Sequence, residues 1–199
     1  MADLRITRKR VRNHFYYSWW KYLIAAVLCA LAVTAGFDMT RYRPPKEKRL
    51  TFYVTCGHAD AQAMEDALWP LLQARCPEQE ELNVQNINLR SDDMYARMQF
   101  STYLGAGEGD VLLLDTEEMD RLIGDDGPGE IFLDLSPYAA SGVLRIDSTS
   151  EYRIPADSLT GLSAFGCDPA GAVLVVLQRS ANPDTAAALI GLLQEQFGN

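Results

Sequence analysis

Hydrophobic and polar positions change character along these 199 residues. A mixed, basic lead gives way to "YYSWWKYLIAAVLCALAVTAGF" (16–37), where only Lys21 is charged between Trp19 and Phe37. About 20 apolar residues in a helix span a bilayer, so this run predicts a transmembrane helix. Tyr16, Tyr17, Trp19, Trp20 and Tyr22 bunch at its start, where amphipathic rings favour the headgroup level and Lys21 can snorkel. A cleaved signal peptide ending with "VTA" at Ala35 is the alternative, and it fits the long basic lead and heavy aromatic belt less well. Cys29 follows Leu28 rather than the small residue that a lipidated cysteine requires, so packing or facing lipid is its expected role.

From Leu50 onward the pattern breaks into short alternating runs. "LTFYV" (50–54) predicts a buried strand. "ADAQAMEDALWPLLQARC" then predicts a helix with Ala61, Met64, Leu68, Leu71 and Leu72 at helical spacing, Asp60 as N-cap, and a kink or early stop at Pro70. "LNVQNINL" (82–89) alternates as a strand does, and "SDDMYARMQFSTYL" reads as a helix capped by Ser91 with two acids in its first turn. "DVLLLD" is a third strand, followed by a short helix "TEEMDRLI" with Asp115 and Glu118 spaced as a capping box. "IFLDLSPY" returns to the body, and after a less regular middle "GAVLVVLQ" is a last buried strand. "NPDTAAALIGLLQEQF" closes the chain with Asn182 as cap, Pro183 at the first helical position, and Ala186, Leu189, Ile190, Leu193 and Phe197 on one face. Strands alternating with helices, each strand a nearly continuous apolar run, predict an α/β fold. The expected body (50–199) is a single open, mostly parallel sheet with helices on both faces, behind one N-terminal transmembrane helix. Pro44 and Pro45 make residues 38–49 an extended, charged linker.

Charge divides the chain at the same place. Residues 1–49 carry 11 Lys/Arg against 3 acids, whereas residues 50–199 carry 7 Arg, no Lys and 24 acids. The basic part suits anionic lipid and the acidic body suits solvent. Nucleic acid is excluded as a partner of the body, which would repel a phosphate backbone. Orientation stays open on charge alone, because Arg5, Arg8, Lys9, Arg10 and Arg12 before the span are balanced by Arg41, Arg43, Lys46, Lys48 and Arg49 after it. With Cys29 in the span, Cys56, Cys76 and Cys167 allow at most one internal disulfide. There is no C-x-x-C and no zinc spacing, and only His14 and His58 are present to complete a ligand set, so neither a metal site nor another cofactor is expected.

The most motif-like stretch is "LGAGEGDVLLLD" (104–115). A phosphate-cradling loop needs strand, glycines, then helix, because phosphate sits on N–H groups at a helix N-terminus. Here helix precedes glycines and strand follows; no Lys is present, and Glu108 and Asp110 would repel phosphate. Gly105 is instead expected to end the helix in a left-handed conformation, the other glycines letting the chain turn sharply.

That stretch, with "EEMDRLIGDDGPGEIFLDLSPY" after it, resembles the first lobe of extracellular solute-binding proteins of the type II periplasmic-binding fold. The order of elements from Leu50 to Tyr138 carries the resemblance. Complete members of that family have a second lobe, and this body of 150 residues is about half their length, so the resemblance implies a single lobe closed by its own last strand. The "NHFYYSWWKYLIAAVL" start is similar to that of small membrane proteins of Gram-positive bacteria that carry such a domain outside the cell. The resemblance therefore implies a cytoplasmic tail (1–15), an anchor (16–37) and an extracellular body.

In an open α/β sheet, ligands sit beyond the carboxyl ends of the strands. Thr55, Cys56, Gly57 and His58 after the first strand, and Asp115, Thr116 and Glu117 after the third, are thus the candidate ligand-binding residues. Glu117 also suits a solvated first helical turn. The i, i+2 spacing of Cys56 and His58 does not aim one side chain at the other, and no third group orients them, so no catalytic residue is expected. "DTEEMD" and "GDDGPGE" are rich in carboxylates but do not fit a calcium loop with ligands at alternate positions. Three function classes follow. The first is a non-enzymatic, membrane-anchored extracytoplasmic module binding a small solute or a membrane-protein partner. The second is a structural accessory subunit of a transporter or envelope complex with no small ligand. The third, an enzyme, lacks a catalytic set.

Overall fold

The computed structural model describes residues 8–40, 42–91, 93–124, 127–146 and 150–198. Most of the basic tail's first residues (1–7), Arg41, Asp92, and Asp125 and Asp126 of the acid-rich turn lie outside the described residues. The chain divides into two compact units, residues 1–43 and 44–199.

Among its described residues, the first unit holds one helix, α1 (Arg8–Thr40). Its Tyr16–Phe37 stretch is long and apolar enough to cross a membrane, with a mean hydropathy of 1.7 and none of it buried within the protein. Two polar side chains are satisfied without leaving the helix: the Thr34 hydroxyl donates to Ala30 O (3.1 Å) and the Thr40 hydroxyl to Gly36 O (2.8 Å). Such back-bonding removes the cost of a bare hydroxyl in an apolar medium.

The second unit is a five-stranded open sheet between helices. A 3₁₀ turn (Lys46–Lys48) leads into β1 (Arg49–Val54), then α2 (Ala61–Arg75), β2 (Glu81–Asn86), α3 (Met94–Gly105), β3 (Val111–Asp115) and α4 (Thr116–Ile123). After α5 (Ser136–Ala140) come the two-residue β4 (Ile154–Pro155), a 3₁₀ turn (Thr160–Phe165), β5 (Ala172–Val176) and α6 (Pro183–Phe197). The strand order is β2-β1-β3-β5-β4. β1 pairs in parallel with β2 and β3, while β5 pairs antiparallel with both β3 and β4. The sheet is therefore mixed: four strands share one direction and β5 opposes them. A continuous apolar run such as "AVLVV" reports burial on both faces, which it has here at every position, and burial does not encode direction.

Pleat alternation divides the core in two. Leu50, Phe52, Val54, Val111, Leu113, Leu174 and Val176 face α2 and α6, packing on Met64, Leu68, Leu72, Leu189 and Ile190. Tyr53, Leu112, Leu114, Val173 and Val175 face α3 and α4, packing on Phe100 and Met119. Helices thus cover both faces, as the sequence pattern predicts.

Local expectations meet mixed outcomes. Asp60 does cap α2, accepting from the Ala63 N–H at 3.0 Å. Pro70 neither stops nor shortens that helix, which runs on to Arg75 with Pro70 on its exposed side. The cap of α3 is Asp93, whose carboxylate accepts from the Tyr95 N–H at 2.8 Å; the Ser91 hydroxyl donates back to Asn88 O instead. Asp115 and Asn182 occupy N-cap positions without making cap hydrogen bonds, since each has stronger partners elsewhere. Gly105 remains inside α3, and the left-handed turn falls at Gly107 (φ +66°).

Candidate functional site

Parallel pairing brings the ends of β1, β2 and β3 to one edge of the sheet, and the reversed β5 starts there, opposite Asp115. Thr55, Cys56, Gly57, His58, Asp115 and Thr116 therefore do gather at one edge, together with residues that the strand-end rule missed: Arg90, Asp168, Ala170 and Gly171. Arg90 follows β2 by four residues. Asp168 precedes β5 and reaches this edge only because β5 is reversed.

Arg90 is the hub of the edge. Its guanidinium donates twice to Asp115, from Nη2 to Oδ1 at 2.6 Å and from Nε to Oδ2 at 3.0 Å. It also donates from Nη1 to Asp168 Oδ2 at 3.1 Å and from Nη2 to Ala170 O at 2.9 Å. A planar fork matches a carboxylate in this two-point way and fixes both groups. Hydrogen bonding to Asp115, ahead of the opposing effect of burial, raises the Arg90 pKa further above its ordinary value. One side chain thus ties together the segment after β2, the end of β3 and the loop before β5.

The sequence candidates are placed around this hub, most with internal partners. The Thr55 hydroxyl donates to Leu113 O (2.9 Å) and the Thr116 hydroxyl to Gly171 O (3.0 Å). Cys56 is fully buried, its Sγ 3.8 Å from both Leu113 O and Asp115 Oδ1. Burial first, and the Asp115 charge second, push its thiol up to about 12. Burial likewise pushes the Cys167 thiol up to about 11. Thiolate is the nucleophile, so both sulfurs are chemically quiet at neutral pH. Gly57 turns the chain at φ +93° and pairs with Cys167 in an isolated antiparallel bridge. His58 is exposed, with Nε2 3.3 Å from Asn88 Nδ2, and no hydrogen bond joins it to Cys56. Glu117 is exposed on the first turn of α4. Among the described residues, no group of three or more His, Cys, Asp or Glu side chains is arranged to hold a metal ion.

The opposite edge carries a second polar centre. Asp110 is buried, and its carboxylate accepts from the Thr51 N–H at 2.8 Å and the Ser180 hydroxyl at 2.6 Å. Burial raises its pKa against the lowering effect of these hydrogen bonds. Beside it the chain turns through Gly107 and Gly109, and a cleft of about 290 Å³ opens between Leu104, Leu122, Ile131 and Leu177, with Glu130 and Arg179 at its rim. Nothing in the apolar periodicity marks this cleft, because its walls come from four separate segments.

No protein-family model matches the chain, and no curated protein is significantly similar to it.

Proposed function

We propose that the protein is a single-pass, membrane-anchored module of non-enzymatic character, with its N-terminus in the cytoplasm and its acidic α/β body outside the cell, where the body binds a solute or a protein partner. The observation that carries this reading is the union of an exposed, aromatic-led apolar helix with a separate, acidic folded unit. Two features support the non-enzymatic part: the buried thiols hold their protons, and Asp115, the carboxylate nearest Cys56, is engaged by Arg90. The order of elements, strand through to "LDLSPY", supports a lobe of the periplasmic-binding kind. A ligand at the strand ends would compete with Asp115 and Asp168 for Arg90.

The second reading, a structural subunit that docks on a membrane partner without a small ligand, draws on α3. Met94, Tyr95 and Met98 stand 82%, 66% and 60% exposed there, and adaptable, polarizable side chains of this kind suit protein contacts. One experiment addresses placement for both readings. A cysteine at the exposed Ser158, in a Cys29→Ser, Cys76→Ser background, is challenged in intact cells with a membrane-impermeant maleimide. Labelling without lysis is the expected result; labelling only after lysis overturns the extracellular reading. Placement once established, a rise in melting temperature with an added solute favours the first reading, and stable co-purification of a membrane partner without any such rise favours the second.

A further inference from the structure

We infer that the cleft between α3, α4 and the end of β5 binds a small apolar zwitterion, a molecule carrying an ammonium, an acid group and a hydrocarbon body. A free amino acid with a large apolar side chain is the simplest of that class. The inference rests on the reading of the body as a solute-binding module, and it places the solute at the edge opposite the strand ends of β1 and β3.

The reversal of β5 creates this cleft. It brings the carboxyl end of β5, followed by Leu177 and Arg179, to the edge where β1 and β3 start. The 3₁₀ turn Pro128–Glu130 leads into a segment pinned to that end: Phe132 opposes Leu177 in an isolated antiparallel bridge, and the Gln178 N–H donates to Ile131 O at 2.8 Å. Leu104, Leu122, Ile131 and Leu177 then wall a space of about 290 Å³. A polar pocket of about 80 Å³ adjoins it, sharing Gly107 and Arg179 and lined also by Lys46, Arg49 and Glu108. Gly107 has no side chain to divide the two, and a Cβ built there would meet nothing within 4 Å.

Charges of both signs surround this space without pairing. Among the described residues, the side chains of Lys46, Arg49, Arg179, Glu108 and Glu130 form no ion pair and no hydrogen bond. The strand-end edge differs, since Arg90 is there already engaged by Asp115 and Asp168. Asp110 also lines the polar pocket, but it is buried and its two oxygens accept from the Thr51 N–H and the Ser180 hydroxyl. Unpaired cations and carboxylates around one cavity suit a ligand that brings a counter-charge for each. Its acid group meets the Arg179 fork, with Lys46 and Arg49 beyond, and its ammonium meets Glu130 or Glu108. The apolar walls take the hydrocarbon. A cleft of about 290 Å³ is at the small end of the roughly 300–1,000 Å³ of ligand sites, which sets the scale at one amino acid rather than a lipid.

The test uses the full chain in detergent and L-leucine as probe, with amide hydrogen exchange as the readout. Leucine should protect residues 104–109, 130–132 and 177–181 in a saturable way. Three analogues divide its chemistry. N-acetyl-leucine keeps the acid alone, leucinamide keeps the ammonium alone, and glycine keeps both without the hydrocarbon; each should bind at least about tenfold more weakly. Arg179 and Glu130 are exposed, so Arg179→Gln and Glu130→Gln should keep the native circular dichroism and each weaken leucine at least about tenfold. Binding of either single-charge analogue as tightly as leucine would overturn the inference, as would an unchanged affinity in both variants. Absence of any leucine protection overturns it too, while the solute-binding reading falls separately, if a membrane partner co-purifies and no solute raises the melting temperature. Protection confined to residues 56–58, 88–90 and 115–116 overturns the cleft assignment and upholds that reading.

Discussion

Gly109 sits at φ +113° against the ring of Tyr53, and a Cβ built there would lie 2.7 Å from Tyr53 Cε2. The ring has nowhere to go: it is 1% exposed and stacks on Tyr103 at 5.7 Å between centroids. Gly109→Ala should therefore cost about 3 kcal/mol in urea unfolding, combining backbone strain with overpacking; a cost below about 1 kcal/mol would mean that the turn relaxes freely. The buried titratable groups set a second expectation. Cys56 rises from 9.0 to about 12 and Tyr53 from 10.0 to about 12, burial being the main cause for both. These groups keep their protons in the folded state at a pH where the unfolded chain has lost them. Folding stability is thus intact below pH 9 and declines as pH climbs from 9 towards 12. Urea midpoints measured across that window should fall, and under reducing conditions Cys56→Ala should show a shallower fall. Single-residue roles were only partly legible in the sequence. Asp60 was plain because one acid stands before its helix, whereas Ser91 and Asp93 both precede α3 and only backbone geometry chooses between them.

Elements here are held in register by a few polar ties at the two edges of the sheet. At one edge Arg90 links Asp115, Asp168 and Ala170 O. At the other, the Asn182 amide donates to Lys46 O (2.8 Å) and Arg49 O (3.0 Å), tying the start of α6 to the entry of β1. The Arg90 and Asp115 side chains are 28% and 29% exposed, less open than an ordinary surface pair and geometrically fixed, so their coupling should exceed the surface norm. A double-mutant cycle on Arg90→Ala and Asp115→Ala should return a coupling of about 1–2 kcal/mol. A value near zero would show that the edge holds without its ion pair. Apolar runs revealed four of the body's five α-helices, all but the five-residue α5 (Ser136–Ala140), and four of its strands, because period and burial are local properties. They did not reveal β4, two residues long and ending in a proline, nor that β5 is reversed. The candidate site inherited that gap: Asp168 joins Thr55–His58 and Asp115 only through the reversal.

At the scale of the whole molecule, hydropathy and charge change together between the apolar run and the body, while the two units divide after Arg43, so that the second starts six residues before the Leu50 start that the sequence pattern suggests. The 24 acids and absence of Lys beyond residue 49 give the second unit a surface that repels its own copies and stays in solution. Its two core clusters lie wholly within residues 50–197, so the hydrophobic burial that drives its folding needs nothing from α1. The fragment 44–199 should accordingly express without detergent and show mixed α/β circular dichroism. It should melt cooperatively within a few degrees of the body transition of the full chain in detergent. The start at Pro44 matters, since residues 46–49 are bonded into the body by Asn182 and by the Glu80 N–H, which donates to Lys48 O at 2.9 Å. A fragment beginning at Leu50 loses those ties and should melt lower. If the 44–199 fragment aggregates or stays unfolded while the full chain is ordered, the independence of the body is wrong and α1 is part of its fold.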